Sequence, residues 1–234
     1  MRNRIGLIGA MEEEIELFRE QMNDIKETSR AGLTYYAGEL FGAQVVLCKS
    51  GVGKVNAAIC TQILIDDFEV QSVIFTGVAG GVHPDLNIGD IVISSDCLQY
   101  DIDASPLGFK QGEIPYASAS SFDADEHLVE LAQRGAESLQ DVQVVNGRVV
   151  SGDQFIANPE RVQGLYKQFN AFCVEMEGSA VGQTCFLNQV PFVIIRSLSD
   201  KADGTASSNF LEFTKLASER SYQMVKNMLQ TISA

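Results

Sequence analysis

Four acidic side chains and one arginine stand where chemistry could be done, each beside an apolar run. In "RIGLIGAMEEEIELFRE" three consecutive glutamates follow a short Ile/Leu-rich strand. Met11, Ile15, Phe18 and Met22 then recur at helical spacing on one face. Glu12 and Glu13 suit the positive end of a helix macrodipole. Glu14 falls on the apolar side, where a carboxylate is costly unless something pairs with it. "CVEMEGSA" sets Glu175 and Glu177 around Met176 directly after an apolar strand. If the strand continues, both acids face one side. One of them could cap the helix that begins near Gly178, and at least one is suited to binding hydroxyls. In "PFVIIRSLSD", Arg196 interrupts a buried strand and needs an anion, for which Glu14 or Glu177 is the natural candidate. Asp200 closes that strand, as the N-cap of a following turn or as a catalytic carboxyl. Phe155 and Ile156, in the loop "SGDQFIANP", could cover the core or stack on a planar base.

Other chemistries lack their residues. His83 and His127 are the only histidines, too few for a histidine-rich metal site or a Ser-His-Asp triad. Five scattered cysteines form no CxxC pair, which favours free buried thiols in a reducing cytosol over a zinc site. "SGVGKVNA" has a glycine-bent turn into a helix but lacks the Walker and G-x-G-x-x-G spacings. "TGVAGG" also lets backbone approach a ligand; tight strand–helix packing explains either stretch equally well. A formal charge of −14 argues against nucleic acid and anionic membrane partners. No apolar run reaches transmembrane length and the chain enters a strand at once, so a cytoplasmic protein is expected.

The elements that must position these residues read as strands Arg4–Ala10, Ala43–Lys49, Ser72–Thr76, Asp90–Ser94, Val142–Val150, Phe172–Val174 and Phe192–Leu198. Helical patterns cover Val55–Ile65, His127–Leu139 and Asn209–Thr231. This alternation predicts one α/β domain over residues 1–234, with a parallel or mixed sheet covered on both faces. Gln99–Ser121 predicts a long ordered loop of functional use. Ligands in such folds sit beyond the strand carboxyl ends. Five of those ends carry the unusual stretches "GAMEEE", "SGVGKVNA", "TGVAGGV", "VEMEGSA" and "RSLSD".

In order and spacing, "IGAMEEE", "SGVGKVNAA", "TGVAGG", "VSGDQFI", "VEMEGSA" and "RSLSD" resemble the 5′-methylthioadenosine/S-adenosylhomocysteine nucleosidases over nearly the whole chain. The resemblance implies a three-layer αβα sandwich around a twisted mixed sheet, nucleoside phosphorylase-like and homodimeric. It implies hydrolysis of the N-glycosidic bond of methylthioadenosine and S-adenosylhomocysteine without metal or cofactor. It makes Glu14 the base that activates water, and Asp200, helped by Ser199, the acid that protonates adenine. Glu177 would bind ribose hydroxyls, Met176 lie against the sugar, Phe155 stack on adenine and the Ile156 backbone read its edge. Arg196 would help orient the water, and Phe210 would line the 5′-thio pocket. Met11, Glu175 and the backbone of Val78 join the substrate contacts. Leu107, Phe109 and Pro115 would complete the neighbouring subunit's pocket. On this chemistry Asp200 should have a raised pKa and Glu14 should stay ionised beside Arg196. Two departures stand out: Val78 where many members carry serine, and "QYDID" with Tyr100 where histidine is frequent. A phosphorolytic enzyme of the same fold, an aminodeoxyfutalosine nucleosidase and a non-catalytic nucleoside sensor are the competing readings.

Overall fold

The computed structural model describes residues 4–201 and 206–233, with side chains described for 4–201 and 213–233. The opening apolar run forms β1 (Arg4–Gly9), buried from Ile5 onward in the middle of a sheet. It leads into α1 (Glu12–Glu20), then β2 (Asn23–Arg30), β3 (Leu33–Leu40), β4 (Ala43–Lys49) and α2 (Lys54–Asp66). Next come β5 (Ser72–Gly81), β6 (Ile91–Gln99), β7 (Ser121–Asp123), α3 (Glu126–Ala136) and β8 (Val144–Ser151). The chain closes with α4 (Pro159–Phe169), β9 (Ala171–Glu175), α5 (Gly178–Asn188), β10 (Phe192–Asp200) and α6 (Ala206–Ser233). The expected long loop separates β6 from β7, broken by a single 3-10 turn at Ser105–Leu107.

β5 is the hinge of the sheet. On one side it pairs in parallel with β1, which continues through β4 to the antiparallel edge strands β3 and β2. On the other side five strands close on themselves: β5 with β10, β10 with β6, β6 with β8, β8 with β9, and β9 back to β5. Period-two alternation feeds both faces. Val73 and Phe75 join Ile8, Val46, Cys48 and Ile194 in a core covered by α2 and α5. Ile74 joins Ile5, Leu7, Leu47, Val193 and Ile195 in a core covered by α1, α3 and α6. This is the three-layer αβα arrangement with a mixed sheet.

Several elements differ from the sequence reading. β5 does not stop at Thr76; it runs fully buried to Gly81, so "TGVAGG" is strand and not a loop beyond it. β2 is a polar, mostly exposed edge strand, and only its pairing with β3 makes it one. α4 begins at Pro159 behind an Asn158 cap that accepts from the amides of Glu160 and Arg161. This helix is not among the expected ones, although its Asn-Pro start is a recognised signal.

Candidate active site

Glu14 occupies the first turn of α1, just past the end of β1, and its carboxylate turns back toward the sheet. Oε2 accepts from the amides of Ala10 at 2.6 Å and Met11 at 3.0 Å. Oε1 accepts from the Val78 amide at 2.9 Å. The Met11 bond is half of a capping box, so part of the reason for this buried acid is local helix capping. The Val78 bond is long-range and depends on Gly77. A Cβ there would lie 2.7 Å from Glu14 Cδ and 3.0 Å from Arg196 Nη1. Burial raises the Glu14 pKa above the ordinary carboxylate value, opposed by Arg196 and by the three amides.

β10 brings the second group. Arg196 lies opposite Gly77 in the β5–β10 register, is buried, and sits 3.9 Å over the Phe75 ring. Its ion-pair partner is Glu175, Nη2 to Oε2 at 2.7 Å, and not Glu14 or Glu177 as the sequence suggested. After Leu198 the register shifts, so that Leu198 faces Ala79 while Asp200 faces Gly80. This bulge at Ser199 changes the direction of the strand's last side chain. Asp200 is buried, and Ser199 Oγ donates to its Oδ2 at 3.0 Å.

β9 and α5 bring the other two acids, in separate roles. The strand ends at Glu175, so the two carboxylates do not share a strand face. Glu175 Oε2 accepts from the amides of Gly178 at 2.8 Å and Glu177 at 3.2 Å, and Oε1 accepts from Ser151 Oγ. With Arg196 added, Glu175 is committed to capping α5 and neutralising a buried cation. That leaves Glu177 as the acid of this pair free of an ion-pair partner among the described residues, while Glu175 still borders the cavity. Glu177 accepts from the Gly53 amide at 2.8 Å. Its pKa is pushed up to about 8, first by burial and then by Glu175.

These groups converge on one cavity of about 300 Å³, the lower end of small-molecule sites. Glu14, Val78, Phe155, Ile156, Met176, Glu177, Ser199 and Asp200 line it, with Met11 and Glu175 at its wall. Phe155 is half exposed, while Ile156 and Val78 are buried. Arg196 is not among the lining residues; it stands behind them through Glu175. Leu107, Phe109 and Pro115 do not line the cavity of their own chain. The Phe210 side chain lies outside the described residues. Sequence reasoning missed Gly53, Ser151 and Ser179, which position the acids. All three lie inside stretches singled out above, "SGVGKVNA", "VSGDQFI" and "VEMEGSA", but no residue type in them points to these contacts. The site holds four acids around one buried, already paired arginine, an environment suited to developing positive charge. Among the described residues, no group of three or more His, Cys, Asp or Glu side chains could hold a metal ion.

Comparison with known proteins gives the family. The sequence profile of the phosphorylase superfamily matches residues 4–230. A relative from Anoxybacillus flavithermus, named 5′-methylthioadenosine/S-adenosylhomocysteine nucleosidase, is 42% identical, covering 98% of this chain and 99% of its own. The crystal structure of a nucleosidase of that name from Neisseria meningitidis, in complex with methylthio-immucillin-A, superposes with a TM-score of 0.94. It is 41% identical over 98% of this chain and 99% of its own. A mutant futalosine hydrolase from Helicobacter pylori superposes with a TM-score of 0.92 at 33% identity, over 98% of this chain and 99% of its own.

Proposed function

We propose that this chain, which belongs to the phosphorylase superfamily and within it to the 5′-methylthioadenosine/S-adenosylhomocysteine nucleosidases, hydrolyses the N-glycosidic bond of those two nucleosides to adenine and a 5-thioribose. The observation that carries the mechanism is that Glu14 and Asp200, from opposite ends of the chain, line one cavity. In the reaction the C1′–N9 bond breaks and its electron pair leaves with the purine. Asp200, oriented by Ser199, protonates N7 so that neutral adenine departs. A water bonds to C1′ and yields its proton to Glu14. A carboxylate whose pKa burial raises is a stronger base than an ordinary one, and each acid or base contributes roughly 10²- to 10⁴-fold. Glu177 and Met176 meet the sugar, while Phe155 stacks on adenine and Ile156 borders its edge. Val78 serves through its backbone, holding Glu14 where other members have a serine. Arg196 acts through Glu175 and through its field on Glu14, not by contact with substrate.

The same reading makes the enzyme a cytoplasmic homodimer in methionine salvage. Leu107, Tyr116 and Val55 are 72%, 91% and 70% exposed, apolar area that a second copy could cover. Leu107, Phe109 and Pro115 then reach the neighbour's pocket. No described helix is long and apolar enough to cross a membrane. The test is adenine release from methylthioadenosine, S-adenosylhomocysteine and aminodeoxyfutalosine, repeated with Asp200→Asn. The variant is expected to lose at least about two orders of magnitude in rate while still binding adenine. Near-normal turnover would remove Asp200 as the proton donor. A clear preference for the futalosine would move the assignment to the function named for the Helicobacter neighbour.

A further inference from the structure

Three residues outside the acid–base set close a ring next to the cavity-lining residues Val52 and Gln154. Lys54, the first residue of α2, sends its Nζ to Asp101 Oδ1 at 2.6 Å, with both side chains less than 20% exposed. Asp101 Oδ2 accepts from the Asp153 amide at 3.0 Å. Asp153 Oδ1 accepts from the Lys54 amide at 2.9 Å, which closes the circuit. Each corner leads to a different part of the site. Beside Lys54, the Gly53 amide holds Glu177. Beyond Asp153 come Gln154, Phe155 and Ile156 of the cavity wall. Asp101 begins the long segment that carries Leu107, Phe109 and Pro115. Two glycines permit this close assembly. Gly53 has a φ of 98° and a Cβ there would stand 3.3 Å from Asp153 Oδ1. A Cβ on Gly152 would stand 2.6 Å from the Tyr100 ring.

We propose that Lys54 and Asp101 are positioning residues: their ion pair, locked through Asp153, holds the Phe155 loop against the α2 N-terminus and so sets the width of the adenine slot. The inference deepens the nucleosidase reading and rests on it for its kinetic consequence. Within the ring the paired Asp101 carboxylate holds the Asp153 amide, and Asp153 in turn holds the Lys54 amide beside Gly53, so loss of the pair is felt at Phe155 and at Glu177 together. A loosened slot weakens purine stacking in substrate and transition state alike, which raises KM and leaves kcat nearly unchanged.

Lys54→Met, Lys54→Arg, Asp101→Asn and the double Lys54→Met/Asp101→Asn variant test this. Steady-state adenine release from methylthioadenosine is measured beside amide hydrogen exchange at residues 53–54 and 152–156. Either uncharged variant is expected to raise KM roughly tenfold with kcat within about threefold. Exchange should quicken at those amides, the double variant should be no worse than the singles, and arginine at 54 should restore much of the loss. Unchanged exchange in both single variants would overturn the ring as a latch whatever the enzyme's substrate proves to be. Faster exchange with unchanged KM would overturn its role in the slot. An inactive wild type would sink the nucleosidase reading alone, since the exchange arm still reports on the ring.

Discussion

Replacing Glu175 with glutamine isolates the buried charge that organises the site. In the native protein Glu175 accepts from Arg196 Nη2 at 2.7 Å, from Gly178 at 2.8 Å and from Glu177 at 3.2 Å. The ion-pair side chains are 1% and 4% exposed, so solvent screening contributes little. Glutamine keeps the shape but brings an NH₂ that cannot accept and removes the anion, leaving Arg196 buried without its partner. Breaking such a pair from one side costs roughly 3–5 kcal/mol. For a chain of this length each kcal/mol moves Tm by about 2–4 °C, so the expected fall is roughly 6–20 °C. Thermal unfolding by circular dichroism at pH 7 and one fixed protein concentration measures it. A Glu175→Leu/Arg196→Met double variant, which removes both charges, should be more stable than Glu175→Gln. A Tm within about 2 °C of wild type for Glu175→Gln, well below the 3–5 kcal/mol expectation, would refute the assignment of Glu175 as the counter-ion of a desolvated arginine.

Gly77→Ala places a methyl 2.7 Å from Glu14 Cδ, so the carboxylate must move; adenine release should fall by at least about 10²-fold with the fold retained by circular dichroism. Phe155→Ala should leave stability nearly unchanged, since the ring is half exposed, but raise KM by roughly tenfold or more through lost base stacking. Glu177 is held uncharged up to about 8, against 4.5 for an ordinary glutamate. Its contribution to stability is therefore complete below about 4.5 and is lost as pH rises through about 8. Urea midpoints across that window should decline in the wild type and decline less in Glu177→Gln; parallel curves would remove Glu177 as the cause.

The helix faces and the central strands were legible because their burial is periodic. Ile5, Leu7 and Ile8, or Phe192 to Ile195, alternate between two cores, and that alternation is written in the side chains. β2 left no such trace, since "NDIKETSR" is held by backbone pairing to β3 at the sheet edge. "TGVAGG" misled because glycines usually mark turns; here Gly77 thins a strand so that Glu14 and Arg196 can approach it. Within the site, acid identity was readable but acid pairing was not. Glu175 and Glu177 look equivalent in "VEMEGSA", yet the strand ends between them and sends one to Arg196 and the other to Gly53. The bulge that redirects Asp200 is likewise a property of the β5–β10 register, not of any residue type.

That pairing bears directly on the choice between water and phosphate, the nucleophiles available to this superfamily. A phosphate dianion needs several unengaged cations or amides. Arg196 and Lys54, the cations beside these loops, are both committed: Arg196 to Glu175, and Lys54 to Asp101. The Gly53 and Val78 amides, which could also have faced an anion, already donate to Glu177 and Glu14. An incoming phosphate would have to displace a carboxylate at each point and then sit among the acids left behind. Water meets no such barrier, and an ionised Glu14 favours the positive charge that develops on the sugar as the bond breaks. Adenine release should therefore be indifferent to millimolar phosphate and give the free thioribose. Formation of a ribose-1-phosphate analogue would mean that one of these ion pairs opens during turnover, and the electrostatic account of the site would fall with it.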